Sequence, residues 1–292
     1  MADIERAPFV LAPQPPLPVP AAISFSEEAL RRSRGPWPNV IEYRDRAFGA
    51  APWQRFDVFT PAGAAGPRDV IVFLHGGGWT NGYKEWCGFM APAVTAAGAI
   101  LVAPTYRLGP EFRYPVWLDD SFAALAAIRN DIATFGGDPD RLFIAGHSAG
   151  GTIAALLALR SDRWPEYGLP AAAIRGCAPV SAILDLHDPA PPAGSLEARV
   201  YETVLAHAAQ DREASPINRL DTLNVPILLT WGQRDTERVR RGNERAAAIL
   251  EDSSERSIVR CYAELDHFQT QLALGDPAHD WYAALHELRK SG

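Results

Sequence analysis

The chain has almost no cysteine: its 292 residues carry only Cys87, Cys177 and Cys261. They are odd in number and far apart, and no Cys-x-x-Cys or mixed Cys/His spacing links them. That excludes a disulfide scaffold and a structural zinc site. Cys177, in an Ala-rich run, and Cys261, in a strand-like one, are expected as buried free thiols. No uninterrupted apolar stretch approaches the ~20 residues of a membrane-spanning helix. A basic surface is also lacking, since 28 Lys and Arg face 35 Asp and Glu, for a net charge of -7. Phosphate backbones require a concentrated positive field, which this balance does not provide. The short clusters Arg31-Arg32-Ser33-Arg34 and Arg238…Arg240-Arg241 read as solvated faces. The first ten residues, MADIERAPFV, hold charges where a secretion signal would have its apolar core. The expectation is a soluble, cytoplasmic protein that binds neither nucleic acid nor membrane.

What is present is an ordinary globular composition, 47% hydrophobic and 22% charged, on a chain long enough to bury a large core. Proline is the exception, with 25 residues. Six of them fall between Pro8 and Pro20, where neither helix nor central strand can be sustained. A short helix is expected over Ser26–Arg34, with Ser26 as N-cap and Glu27 and Glu28 in its first turn. Residues 1–45 are therefore read as a proline-rich arm with a cap helix, and residues 46–292 as a single larger domain.

Within that domain strand-like and helix-like runs alternate. Gln54–Thr60, Asp69–His75, Ala99–Pro104, Leu142–Ala145, Val225–Trp231 and Ser257–Tyr262 read as strands, most of them apolar enough to be buried on both faces. Val116–Ile132, Ala149–Arg160, Leu196–Ala209, Glu237–Leu250 and Trp281–Lys290 read as helices. Such alternation predicts an α/β fold with a mostly parallel central sheet flanked by helices. Right-handed crossovers place the C-terminal strand ends on one edge, where such sheets bind ligands.

Two of those strand ends are glycine-rich. The second reads Gly146-His147-Ser148-Ala149-Gly150, a G-x-S-x-G turn with a strand before it and an apolar helix after it. This pattern projects a serine from a sharp strand-to-helix turn, with glycines where strand and helix approach. The first reads His75-Gly76-Gly77-Gly78-Trp79. Consecutive glycines let main-chain N–H groups converge on one point, as a tetrahedral oxyanion requires. Gly77 and Gly78, with Ala149 after the serine, are the candidate donors. Neither a Gly-Lys-Ser/Thr phosphate loop nor a G-x-G-x-x-G dinucleotide loop fits GGGWTNG.

A nucleophilic serine needs a base and an acid to orient it. His75 and His147 abut the glycine turns and read as structural. His187, His207, His279 and His286 follow no strand end. His267 follows the last strand candidate, and Asp235 lies just beyond Val225–Trp231. The candidate set is Ser148, Asp235 and His267, with Asp266, Asp185 and Glu264 as rival acids. Neither a metal nor an organic cofactor is needed for this chemistry.

From about Trp53 onward the chain resembles α/β-hydrolases of the hormone-sensitive-lipase and arylformamidase-like esterase group. The resemblance is carried by His75–Trp79, Tyr106–Glu111, Phe135–Arg141, Gly146–Gly151, Ser181–Leu186, Ala214–Pro216, the Asp235 loop and His267-Phe268. It implies the α/β-hydrolase fold, a Ser148-His267-Asp235 catalytic triad and an oxyanion hole. The Gly-His-Ser motif departs from the Gly-Asp-Ser of lipase-type members. The implied activity is hydrolysis of a small carboxylic ester, with aryl formamides or related amides as the alternative and a non-catalytic binding protein as the third class. Trp79, Tyr83, Trp86, Phe112 and Phe268 follow strand ends and are candidates for the substrate pocket. The partner expected is a small-molecule ester or amide, and the oligomeric state stays open, a homodimer included.

Overall fold

The computed structural model describes residues 8–63, 66–253 and 257–291; the first seven residues of the expected arm lie outside them. In chain order the elements are α1 (Pro20–Arg32), β1 (Val40–Ala47), β2 (Arg55–Pro61), β3 (Arg68–Leu74), α2 (Ala91–Ala96) and β4 (Ile100–Pro104). There follow α3 (Val116–Asp131), β5 (Gly137–His147), α4 (Ala149–Leu159), β6 (Gly176–Val180) and α5 (Leu196–Arg199). The last are β7 (Ile227–Gly232), α6 (Glu237–Ser253), β8 (Ser257–Tyr262), α7 (Gln269–Leu272) and α8 (Asp280–Ser291).

The strands form one sheet in the order β1-β2-β4-β3-β5-β6-β7-β8. The β1–β2 and β2–β4 pairs are antiparallel, and every later pair is parallel. The period-2 alternation of β3 divides the core in two. Val70, Val72 and Leu74 enter one hydrophobic layer with Trp117 and Phe122 of α3 and Ile153 and Leu156 of α4. Ile71 and Phe73 enter the other with Phe25 of α1, Val94 of α2 and Trp281 and Leu285 of α8. Both faces of the central strands are thus covered, as their near-continuous apolar sequence requires. Among the described residues no helix is long and apolar enough to cross a membrane.

Several elements differ from the sequence expectation. The first helix starts at Pro20, not near Ser26, because proline suits the first helical turn and Ala22, Phe25 and Ala29 supply a buried face. Strand β1 has few buried residues and four charged ones, so it lacks an apolar signature; it pairs on one side only, as an edge strand. Strand β6, Gly-Cys-Ala-Pro-Val, has poor strand propensity, and its Pro179 lacks a ladder donor. The expected helix Leu196–Ala209 is regular only to Arg199. It continues as one π turn over Val200–Val204 and ends where Leu205 bridges to Tyr114. Cys177 is buried, but Cys261 is exposed on edge strand β8 and donates its thiol to Gln233 Oε1 at 3.2 Å.

Candidate active site

Ser148 stands between β5 and α4 with φ 54° and ψ −119°, a conformation side-chain-bearing residues rarely adopt. The turn is held by the Ser148 N–H donating to the Val180 carbonyl at 2.9 Å and by Thr152 N–H donating to the Ser148 carbonyl at 3.0 Å. A Cβ at Gly150 would lie 2.2 Å from the Leu74 carbonyl oxygen. Only glycine lets α4 start this close to the end of β3.

His267 and Asp235 reach the serine from two later strand ends. His267 Nε2 lies 2.9 Å from Ser148 Oγ, and His267 Nδ1 lies 2.7 Å from Asp235 Oδ1. The carboxylate can only accept, so Nδ1 carries the proton and Nε2 is free to accept the serine hydroxyl. The Asp235 and His267 loops are tied together: Gln233 N–H donates to the Tyr262 carbonyl and Arg234 N–H to the Leu265 carbonyl. Burial pushes the Asp235 carboxyl up, but the hydrogen bond and charge of His267 outweigh it, and its pKa ends below the ordinary aspartate value. Asp266 uses its Oδ1 to accept the N–H groups of Phe268 and Gln269. Glu264 pairs with Arg234, and Asp185 with Arg245.

The His267 main chain is fixed as well. Its carbonyl accepts His147 Nε2–H at 2.7 Å and the Thr270 hydroxyl at 2.7 Å, and Thr270 Oγ1 lies 2.9 Å from Ser181 Oγ. His147 is fully buried, and burial, with His267 adding to it, lowers its pKa to about 3. It is therefore neutral and donates through Nε2. His75 is buried too; its pKa falls to about 4, and its ring stacks on Tyr106. Thr270 carried no sequence signal beyond its nearness to His267, and Ser181 opens the Ser181–Leu186 stretch of the resemblance without having been linked to His267.

The glycine loop lies on the same side. Gly77 and Gly78 have positive φ of 118° and 62°, and a Cβ at Gly77 would stand 2.1 Å from the Asn81 carbonyl oxygen. The loop closes as Thr80 and Asn81 N–H groups donate to the Gly77 carbonyl. Ala149 is the first residue of α4, where N–H groups have no intrahelical partner.

A cavity of about 360 Å³ opens onto Ser148 and His267. Gly77, Gly78, Trp79, Trp86 and Phe268 line it, whereas Tyr83 and Phe112 stand outside. Tyr83 turns its hydroxyl to the Ala12 carbonyl, and Phe112 lies under the Arg107 guanidinium. One wall comes from Leu17–Val19 and α1, where Phe25 stacks on Phe268 with ring centroids 5.3 Å apart. Further lining comes from α5, the turn after it and the start of α6, none of which sequence reasoning linked to the site. Arg238, expected on a solvated face, is part of that wall; burial lowers its pKa. Among the described residues no group of three or more His, Cys, Asp or Glu side chains has the arrangement of a metal site.

Residues 71–271 match the family model of the alpha/beta hydrolase fold. A carboxylesterase of Mycobacterium tuberculosis is 47% identical over 90 residues, 30% of this chain and 28% of that protein. The kynurenine formamidase of Danio rerio is 25% identical over 224 residues, 77% of this chain and 74% of that protein. The chain spans only about a quarter of the length of the first curated relatives it matches. Among solved structures, a thermostable carboxylesterase from a metagenomic library superposes with a TM-score of 0.70 at 21% identity, covering 94% of this chain and 95% of that one.

Proposed function

The chain belongs to the alpha/beta hydrolase fold family, and from that premise we propose that it is a serine hydrolase that cleaves a small carboxylic ester through an acyl-enzyme on Ser148. The observation that carries this reading is the relay from Ser148 Oγ to His267 Nε2 at 2.9 Å and from His267 Nδ1 to Asp235 Oδ1 at 2.7 Å.

In the first step Ser148 Oγ attacks the substrate carbonyl carbon while its proton passes to His267 Nε2. Asp235 keeps the imidazole oriented and stabilises the imidazolium that forms. The carbonyl oxygen becomes an oxyanion facing the N–H groups of Gly77, Gly78 and Ala149. The tetrahedral adduct collapses, the C–O bond to the leaving group breaks, and His267 gives its proton to the departing alcohol. Water then attacks the acyl-enzyme, losing a proton to His267, and the acid leaves as Ser148 is reprotonated. Trp79, Trp86 and Phe268 contact the substrate from the cavity lining. Residues Leu17–Phe25 act as the cap over it, which supports reading the segment that ends with α1 as an arm that completes the site, whereas the last of residues 1–45 belong to β1 of the sheet.

A second reading, hydrolysis of an aryl formamide, is favoured by the match to the Danio rerio kynurenine formamidase over most of both chains. The same residues serve, with an amine protonated as leaving group. Comparing kcat/KM on p-nitrophenyl esters and aryl formamides, with Ser148→Ala as the blank, separates the two. Preference for esters supports the first reading and preference for formamides the second. Turnover that survives in Ser148→Ala overturns both.

A further inference from the structure

We propose that Arg238 is a specificity-determining residue that pairs with a carboxylate carried by the substrate, so that the preferred ester or amide is anionic. This rests on the hydrolase reading above and names the substrate class of the same site.

Arg238 lines the cavity that contains Ser148 and His267. Its guanidinium has five donors, of which Nε–H is spent on the Asp185 carbonyl at 3.2 Å. Nη2 is buried and has no hydrogen-bond partner among the described residues. Among those residues, no carboxylate lies within ion-pair distance of Arg238. Asp185, whose main chain it touches, gives its carboxylate to Arg245 Nη1 at 2.7 Å. A part-buried guanidinium that carries an unpaired N–H and no ion pair is held at a cost that an arriving anion relieves. A carboxylate is the partner whose geometry and charge match a guanidinium best.

The rest of the wall agrees with this. Arg199 also lines the cavity, with Nη2 donating to Thr80 Oγ1 at 2.9 Å, and Glu197 is the one carboxylate among the lining residues; Glu197, Asp185 and Asp188 act on Arg238 through charge without an ion-pair contact. The cavity therefore holds more positive than negative side chains although the chain as a whole carries a net charge of -7. The remaining wall on this side, including Ile183, Val200 and Val204, is apolar and suits a carbon skeleton. The substrate class is an ester or amide whose carbon skeleton also bears a free carboxylate.

The test compares near-isosteric pairs in which a carboxamide replaces the carboxylate: the 4-nitrophenyl ester of adipic acid monoamide with the 4-nitrophenyl monoester of adipic acid, and 4-acetoxybenzamide with 4-acetoxybenzoate. In the unaltered protein, kcat/KM for the anionic member of at least one pair is expected to be higher by roughly tenfold or more. Arg238→Met removes that preference, Arg238→Lys keeps part of it, and added salt narrows it. Equal rates within both pairs, or a loss in Arg238→Met that falls equally on neutral and anionic members, overturns the proposal. The second pattern would mean that Arg238 acts only through Asp185. Binding to Ser148→Ala separates this failure from failure of the hydrolase reading. Calorimetric titration with adipic acid monoamide against hexanamide needs no turnover. A preference for the anion that disappears when Arg238→Met is added supports the proposal even if no ester is cleaved, and its absence contradicts it.

Discussion

The His267 carbonyl accepts a hydrogen bond from His147 Nε2 at 2.7 Å. The residue preceding Ser148 in the chain thus holds in place the residue whose imidazole faces Ser148. His147 is buried and neutral, its ring lies 4.8 Å from that of His267, and among the described residues its second nitrogen, Nδ1, has no hydrogen-bond partner.

His147→Leu is therefore expected to lower kcat by roughly ten- to a hundredfold with a smaller change in KM, because a misplaced base loses orientation rather than substrate contact. His147→Gln keeps an N–H donor and is expected to restore most of the loss. Steady-state kinetics of the two variants check this. Equal loss in both would mean that the ring itself, and not the donor, matters.

Stability should fall on acidification. His75 and His147 are held neutral, at about 4 and about 3, and both rise to about 6.5 when unfolded. Between those values the unfolded chain binds protons that the folded chain refuses, so stability is lost as pH drops below about 6.5. Each histidine contributes up to about 1.4 kcal/mol per pH unit in that window. Urea unfolding at several pH values between about 7 and 5 is expected to show this slope, with a shallower one in His147→Gln. A flat profile would contradict it.

Alanine at Gly77 and at Gly78 should have unequal effects. Both positions have positive φ, but the Gly77 Cβ meets the Asn81 carbonyl at 2.1 Å, whereas the Gly78 Cβ has nothing within 4 Å. Gly78→Ala is expected to cost about 1 kcal/mol of stability, the ordinary cost of a left-handed backbone. Gly77→Ala must move the loop, so it is expected to lower kcat by at least about a hundredfold as oxyanion donors are lost. Kinetics and thermal melts of the pair check it.

The arm should act on KM. Gln14 clasps Gly82 in both directions, donating to its carbonyl at 2.7 Å and accepting its N–H at 2.8 Å. Asn81 Nδ2 donates to the Pro15 carbonyl at 2.5 Å. Gln14→Ala and Phe25→Ala are each expected to raise KM several-fold through loss of the cavity wall, with kcat changed less. Unchanged KM in both variants would show that the cap does not touch the substrate.

Six of the eight strands and the three candidate reacting residues were legible because each sits at a strong local signal, whereas β1 and β6 carried none. Ser148 lies inside a glycine turn between a strand and a helix, and Asp235 and His267 lie just past strand ends on the edge that parallel topology selects. Less was legible where packing decides. Tyr83 and Phe112 follow strand ends as Trp86 does, yet their rings turn to Ala12 and Arg107. Helix α1 starts at Pro20 because Phe25 docks on Trp86 and Phe268, contacts about 60 and 240 residues away in the chain. Arg238 lies in a run that reads as a charged surface, and it is drawn into the cavity wall by tertiary contacts, its Nε–H donating to the Asp185 carbonyl.

The most direct test of the account is covalent labelling with a fluorophosphonate that traps an activated serine. One adduct per chain is expected, located by peptide mass spectrometry at Ser148. The adduct should be absent from Ser148→Ala and strongly slowed in His267→Ala. No adduct on the folded protein, or an adduct at another residue, would contradict the assignment of Ser148 as nucleophile.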